Sequence, residues 1–289
     1  MTETTPRILA VGAAGSFAGL VVPALARRGA RVRGLIRDPA DADRVRDQGA
    51  TEIAVGDLRD RASVEAALAG VDAVFYIAPA FIDDEVGLGQ NVVETAKRAG
   101  VRRFVFSSVI HPTLSALENH RAKGPVEEAV LASDMEFTFL HPTLFFQDLD
   151  QGWPNVVKTG VFAQPWSTET RFTWVDYRDV AEVAAIALTE DRLVDGTFEI
   201  CAAGNLNRHD VAALMSEALG RTIRADRLKP PAGDDSEGDQ MVGLRKMFDW
   251  YDQHGLLGNA LTLTAILGHE PRTLRTYLQE LAAKPLPAG

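Results

Sequence analysis

Between Val11 and Gly19 the chain reads VGAAGSFAG: Gly12 and Gly15 stand three apart, Ala18 follows at the same interval, and Gly19 lies beside it. This G-x-x-G-x-x-A spacing, set between an apolar run and a helical one, suits a sharp turn. Its backbone amides can close on a pyrophosphate whose charge the helix N-terminus favours. The same glycines would also serve an ordinary strand-to-helix turn, so the spacing alone leaves both open. The second strand ends at Arg37, where an acidic residue normally holds an adenosine ribose with a free 2′-hydroxyl. A guanidinium fork there suits a 2′-phosphate, which points to NADP, with NAD the less favoured coenzyme. Asp38, one residue later, is an acid that could still reach a ribose.

Other chemistries find less support. The six histidines have no close metal-ligand pairing, no Ser-His-Asp order can be read from spacing, and no metal is expected. Asp176 and Asp179 read as turn and helix-cap residues rather than as a catalytic carboxylate pair. Cys201 is the single cysteine, so no internal disulfide forms, and a lone thiol points to a reducing, cytoplasmic setting.

Composition narrows the partners. The 289 residues are 46% hydrophobic and 24% charged, enough apolar content for a full core. A net charge of −10 repels phosphate backbones and anionic lipid, so neither nucleic acid nor membrane is an expected partner. Ile8 to Ala26 carries no charge and invites a membrane-span or signal-peptide reading. The leader holds Glu3 as well as Arg7, however, and Gly12, Gly15, Gly19 and Pro23 interrupt any apolar helix, so a strand, a glycine turn and a helix are expected.

The elements that must position these residues alternate. Strands are expected at Arg7–Val11, Arg31–Ile36, Thr51–Val55, Ala73–Ile77, Phe104–Ser107 and Glu136–Leu140. Helices are expected at Ser16–Arg28, Arg61–Leu68, Gln90–Ala99 and Glu118–Ala132, with a short one begun by Pro39. That alternation predicts an α/β, Rossmann-type doubly wound parallel sheet. Gln151–Arg171 is turn-rich, helical periodicity resumes at Val180–Leu188, and Thr197–Cys201 reads as a further strand. Lys229–Asp239 reads as a flexible loop, followed by helices near Gln240–Gln253 and Arg272–Ala283. The expected division is a dinucleotide-binding core over 1–150, with 171–201 returning to the sheet. Residues 151–170 and 202–289 then form a smaller, mostly helical, substrate-facing part.

Several segments, in order, resemble one family. They are VGAAGSFAG, LIRDP at the end of strand two, GDL from Gly56, VRRFVFSSV from Val101, NHRAK from Asn119, HPTLFF from His141, WVDYRDVA from Trp174, and the ending MFDWYDQHG…LGHEPRTLRTYLQE. Together they resemble the NmrA-like group of atypical short-chain dehydrogenase/reductases. The resemblance implies pyrophosphate contacts at Gly12, Gly15, Ser16 and Phe17 and adenine contacts at Asp57 and Leu58. On the nicotinamide side it implies Ile77, Ala78, Ser107 and Lys123. A turn or N-cap role is the less favoured alternative for Asp57, and of Ser107 and Ser108 only the first is offered as a site. Classical members place a tyrosine four residues before the lysine as proton donor. Here Asn119 stands in that position, and none of the four tyrosines precedes a lysine by four. Asn119 and Lys123 are therefore the candidate catalytic pair, Asn119 orienting an oxygen through its amide, while His120 either donates a proton or bonds the backbone.

The expected activity is NADP(H)-dependent hydride delivery to a small conjugated acceptor such as a quinone or azo compound, without a Tyr-Lys pair. Phe145, Phe146, Trp153 and Trp166 are candidate apolar walls for the acceptor, or else core. The alternative is a non-catalytic NADP(H) sensor that binds a protein partner.

Overall fold

The computed structural model describes residues 5–79, 82, 84–228 and 239–285. Its first half repeats strand and helix: β1 (Arg7–Val11), α1 (Ala18–Arg27), β2 (Arg31–Ile36), α2 (Ala42–Asp47), β3 (Glu52–Val55), α3 (Arg61–Leu68), β4 (Ala73–Ile77), α4 (Glu85–Arg98), β5 (Arg103–Ser107), α5 (Glu118–Arg121), α6 (Gly124–Leu131) and β6 (Glu136–Pro142). There follow β7 (Leu144–Phe145), α7 (Trp153–Thr159), β8 (Val161–Gln164), β9 (Phe172–Val175), α8 (Tyr177–Thr189), β10 (Gly196–Ile200), β11 (Asn205–Leu206), α9 (Arg208–Leu219), β12 (Arg224–Arg227), α10 (Asp239–His254), α11 (Leu261–Leu267) and α12 (Leu274–Ala283).

Seven strands form one sheet in the order β10-β6-β5-β4-β1-β2-β3, and the pairings from β6 through to β3 are parallel. The sequence accounts for this. β1, β4 and β5 are apolar runs buried along nearly their whole length, as strands covered on both faces must be. Alternate side chains go to opposite faces. Leu9, Val11, Tyr76, Phe104, Phe106 and Phe139 join a core with Val64 and Leu68 of α3, Val92 and Ala96 of α4 and Val126 and Val130 of α6. The Rossmann-type architecture expected from the alternation is the one the chain adopts. The charge-free stretch from Ile8 to Ala26 is divided into strand, turn and helix, and among the described residues no helix is long and apolar enough to cross a membrane.

The chain separates into two compact units. One comprises residues 1–113, 119–141 and 180–198 and contains the sheet; the other comprises 114–118, 142–179 and 199–289. Within the first, Arg103 is a fully buried cation: it pairs with Glu136 and Asp191 and donates to the carbonyls of Ala187 and Glu190. Within the second, a three-stranded sheet (β11-β9-β7) and a two-stranded one (β12-β8) accompany the helices.

Some expectations need correction. The single helix expected over Glu118–Ala132 is two, because Pro125 has no amide to donate and is tolerated only in a first turn; α6 therefore starts afresh at Gly124. The first helix begins at Ala18, which leaves Ser16 and Phe17 in the turn before it. The stretch Gln151–Arg171 contains α7 and β8. The expected loop Lys229–Asp239 lies, but for its last residue, outside the described residues.

Candidate functional site

β1 runs into a turn that only small residues can make. Gly12 has φ +72°, the Gly15 amide donates to the Gly12 carbonyl at 2.8 Å, and the Gly19 amide donates to the Gly15 carbonyl at 2.9 Å. A Cβ on Gly15 would stand 3.1 Å from the Gly12 oxygen, and one on Gly19 3.1 Å from the Ala13 oxygen. Gly12, Gly15 and Ser16 are exposed, Phe17 is half-buried, and no side chain caps α1 nor does any acid lie in its first turn. The positive helix end thus faces an exposed loop rather than a carboxylate of its own. Gly34 of β2 supports the turn from below: a Cβ there would meet Val45 Cγ1 at 2.7 Å and Ala13 Cβ at 3.1 Å. Gly34→Ala should lower stability by about 1–3 kcal/mol through overpacking, read as a lower denaturant midpoint.

Around this turn the sheet brings together the loops at the carboxyl ends of its strands. Val11 is level with Leu35 and Ile36 with Val55, so Arg37 and the Gly56–Leu58 segment follow strands adjacent to the turn. Arg37 is exposed and, among the described residues, its guanidinium has no partner. Asp38, by contrast, is engaged: its carboxylate accepts from the Ala40 amide at 2.9 Å and caps the following short turn. Arg44 donates to the Ala14 carbonyl at 2.9 Å, steadying the loop from α2. Asp57 accepts from the Arg59 amide at 2.9 Å, a turn bond that occupies one carboxylate oxygen, and half-buried Leu58 packs on the core.

On the other side of β1, Ile77 is level with Ser107, and Ala78 follows. The chain order reverses at β1, with β2 and β3 on one side and β4 to β6 on the other, which is where open α/β sheets bind ligands. Lys123 stands immediately before α6 and forms a buried ion pair with Glu85 at the start of α4. Asn119 is half-buried, and its Oδ1 is a buried acceptor without a partner. Glu85 escaped the reading of the sequence, where it resembles any acid opening a helix.

His120 takes the blander of its two roles. It is fully buried with Nδ1 3.2 Å from the His111 carbonyl, and burial pushes its pKa down to about 4. A ring neutral at physiological pH is not an acid for catalysis. Because the unfolded ring titrates near 6.5, stability should fall as pH drops from about 6.5 toward 4, a slope that urea titrations of His120→Asn should lose.

In the second unit, Asp176 accepts from the Arg178 amide and guanidinium, the local turn role expected of it, whereas Asp179 pairs with Arg272, 93 residues away, a tertiary ion pair in place of the expected cap. Burial pushes the Cys201 thiol up to about 12, which keeps it inert. Phe146 and Trp153 are buried in this unit's core, whereas Phe145 and Trp166 remain partly accessible.

The model of the NmrA-like family matches residues 4–279. The chain belongs to the NmrA-like family. One similar protein, the NAD(P)H azoreductase of Xenophilus azovorans, is 34% identical over 218 residues, covering 75% of each chain. Two solved structures share the fold. The triphenylmethane reductase of a Citrobacter species, complexed with NADP(H), superposes with a TM-score of 0.83 at 19% identity over 95% of this chain and 99% of that one. The NADPH-dependent quinone oxidoreductase of Escherichia coli, complexed with NADPH, gives 0.81 at 21% identity over 95% and 99%.

Proposed function

We propose that this chain is an NADP(H)-dependent oxidoreductase that passes hydride to small conjugated acceptors of the azo and quinone kind. The observation that carries this reading is the exposed Gly12–Gly15–Ser16 turn before an uncapped α1, at the strand where the sheet order reverses. Kinship with an azoreductase supports the acceptor class. Gly12, Gly15, Ser16 and Phe17 would hold the pyrophosphate, Arg37 the 2′-phosphate, Asp57 and Leu58 the adenine, and Ile77, Ala78, Ser107 and Lys123 the nicotinamide half. The donor set fits: the exposed glycine turn before the uncapped end of α1 and the Arg37 guanidinium for anions, and the unpartnered Asn119 Oδ1 as an acceptor for a hydroxyl or amide hydrogen.

When bound, the reduced coenzyme supplies the hydride. The protein's part is to orient both molecules and to exclude water. Asn119, in the place of a tyrosine, can hold an oxygen by its amide but does not donate a proton. A cytoplasmic location accompanies this reading.

The test is fluorescence titration with NADPH and NADH, followed by coenzyme oxidation over a panel of azo dyes and quinones. Binding with turnover supports the proposal. No binding removes it, and tight binding without turnover, together with coenzyme-dependent capture of a protein, replaces it by a sensor.

A further inference from the structure

A second polar cluster, made by Ser108, Glu127 and His141, lies at the carboxyl edge of the sheet. Phe104 and Phe106 of β5 and Phe137 and Phe139 of β6 project alternately onto the sheet face that α6 covers, where Phe106 and Phe139 meet edge to face. The next positions in these two rows are Ser108 and His141. Ser107 is level with Leu140 and the Ser108 amide donates to the Leu140 carbonyl at 2.9 Å, so Ser108 and His141 come side by side. Glu127, from α6, closes on both. The Ser108 hydroxyl donates to Glu127 Oε1, and His141 Nε2 lies 2.9 Å from the same oxygen. A carboxylate has no hydrogen to give, so this ring nitrogen carries one. Two proton donors thus converge on one carboxylate oxygen, with the His141 and Glu127 side chains only 11% and 14% exposed.

Extending the aromatic rows with apolar residues would have avoided burying these groups. The cluster instead sits one residue beyond Ser107, at the end of the sheet where Ile77 and Ser107 stand level. It also answers a chemical need. Hydride transfer to a quinone or azo group leaves a negative charge on oxygen or nitrogen, and the position four residues before Lys123 holds Asn119 in place of a tyrosine.

We propose that Ser108 is the proton donor to the reduced acceptor and that Glu127 and His141 form the relay behind it. This rests on the oxidoreductase reading. The acceptor is reduced by the hydride and its two electrons, the nicotinamide is oxidised, and the Ser108 O–H bond breaks as an acceptor O–H or N–H bond forms. The serine oxygen takes a proton from the Glu127 carboxyl, which receives one from His141 Nε2 as that N–H bond breaks, and solvent protonates the ring at Nδ1.

The experiment uses acceptors that differ in proton demand. A quinone takes hydride and proton, whereas a cationic triarylmethane dye becomes a neutral product by taking hydride alone. In Ser108→Ala, Glu127→Gln and His141→Asn the ratio of quinone to dye turnover should fall about tenfold or more, general acid catalysis contributing at least that much. Coenzyme affinity, followed by fluorescence, should persist, and nitrogen NMR of the coenzyme-free protein should show the His141 ring signals shifting in Glu127→Gln. An unchanged ratio overturns the proposal, as does loss of coenzyme binding in Ser108→Ala. If the dye is not a substrate, quinone reduction should be slower in heavy water for the wild-type protein, and equal rates in both solvents overturn the proposal. Coenzyme binding without turnover of any acceptor removes the oxidoreductase reading and this donor with it, whereas turnover with an unchanged ratio removes the donor alone.

Discussion

Replacing Glu85 with leucine should lower stability by about 3–5 kcal/mol, because it leaves the Lys123 ammonium in a buried position without its counter-charge. Both side chains of the pair are less than a tenth exposed, at 8% for Lys123 and 7% for Glu85, so solvent does little to screen the loss. The pair joins the start of α4 to the start of α6, two helices on the same face of the sheet. Removing both charges is a different experiment. Glu85→Leu with Lys123→Met should recover most of the stability, since an apolar pair of similar volume avoids desolvating two ions. Urea denaturation of the two single variants and the double variant measures this directly. If Lys123 serves the nicotinamide ribose, the recovered double variant still binds NADPH more weakly than the wild-type protein. Recovery of both stability and affinity would reduce Lys123 to a structural cation.

That pair leaves no trace in the local sequence. The β1 to β6 alternation is legible because each strand is a short apolar run bounded by glycine or charged residues, and Arg31–Ile36 and Ala73–Ile77 are placed to the residue. Legible too is the glycine turn, since a positive φ and a close approach to a carbonyl restrict which residue types can stand there. Partners far apart in sequence leave no such trace. Glu85 and Lys123 are 38 residues apart and Arg103 and Asp191 are 88 apart, and only the packing of helices on the sheet joins them. Other features do carry a local signal. Asn207 with Asp210 forms a reciprocal capping box that announces α9, and Pro125 announces the restart of the helix at α6. The row Phe104, Phe106, Ser108 keeps strand periodicity while switching from apolar to polar, which is how the sheet edge carries Ser108 toward Glu127.

Arg37→Glu should invert the coenzyme preference. The wild-type chain presents an exposed guanidinium at the end of β2, free of partners among the described residues, next to an aspartate already committed to capping the Ala40 amide. A charge-assisted hydrogen bond to a 2′-phosphate contributes about 1.5–3 kcal/mol, which corresponds to roughly tenfold to hundredfold tighter binding of NADPH than of NADH. The glutamate variant loses that contact, adds repulsion toward the phosphate and gains an acceptor for a free 2′-hydroxyl, so NADPH should weaken while NADH tightens. Arg44→Ala distinguishes this from a general loss of positive charge. Arg44 is tied to Asp41 and to the Ala14 carbonyl, so its removal should loosen the glycine turn and weaken both coenzymes alike. Dissociation constants for the two reduced coenzymes with each protein decide the matter; equal affinities in the wild-type chain would show that Arg37 reads no phosphate.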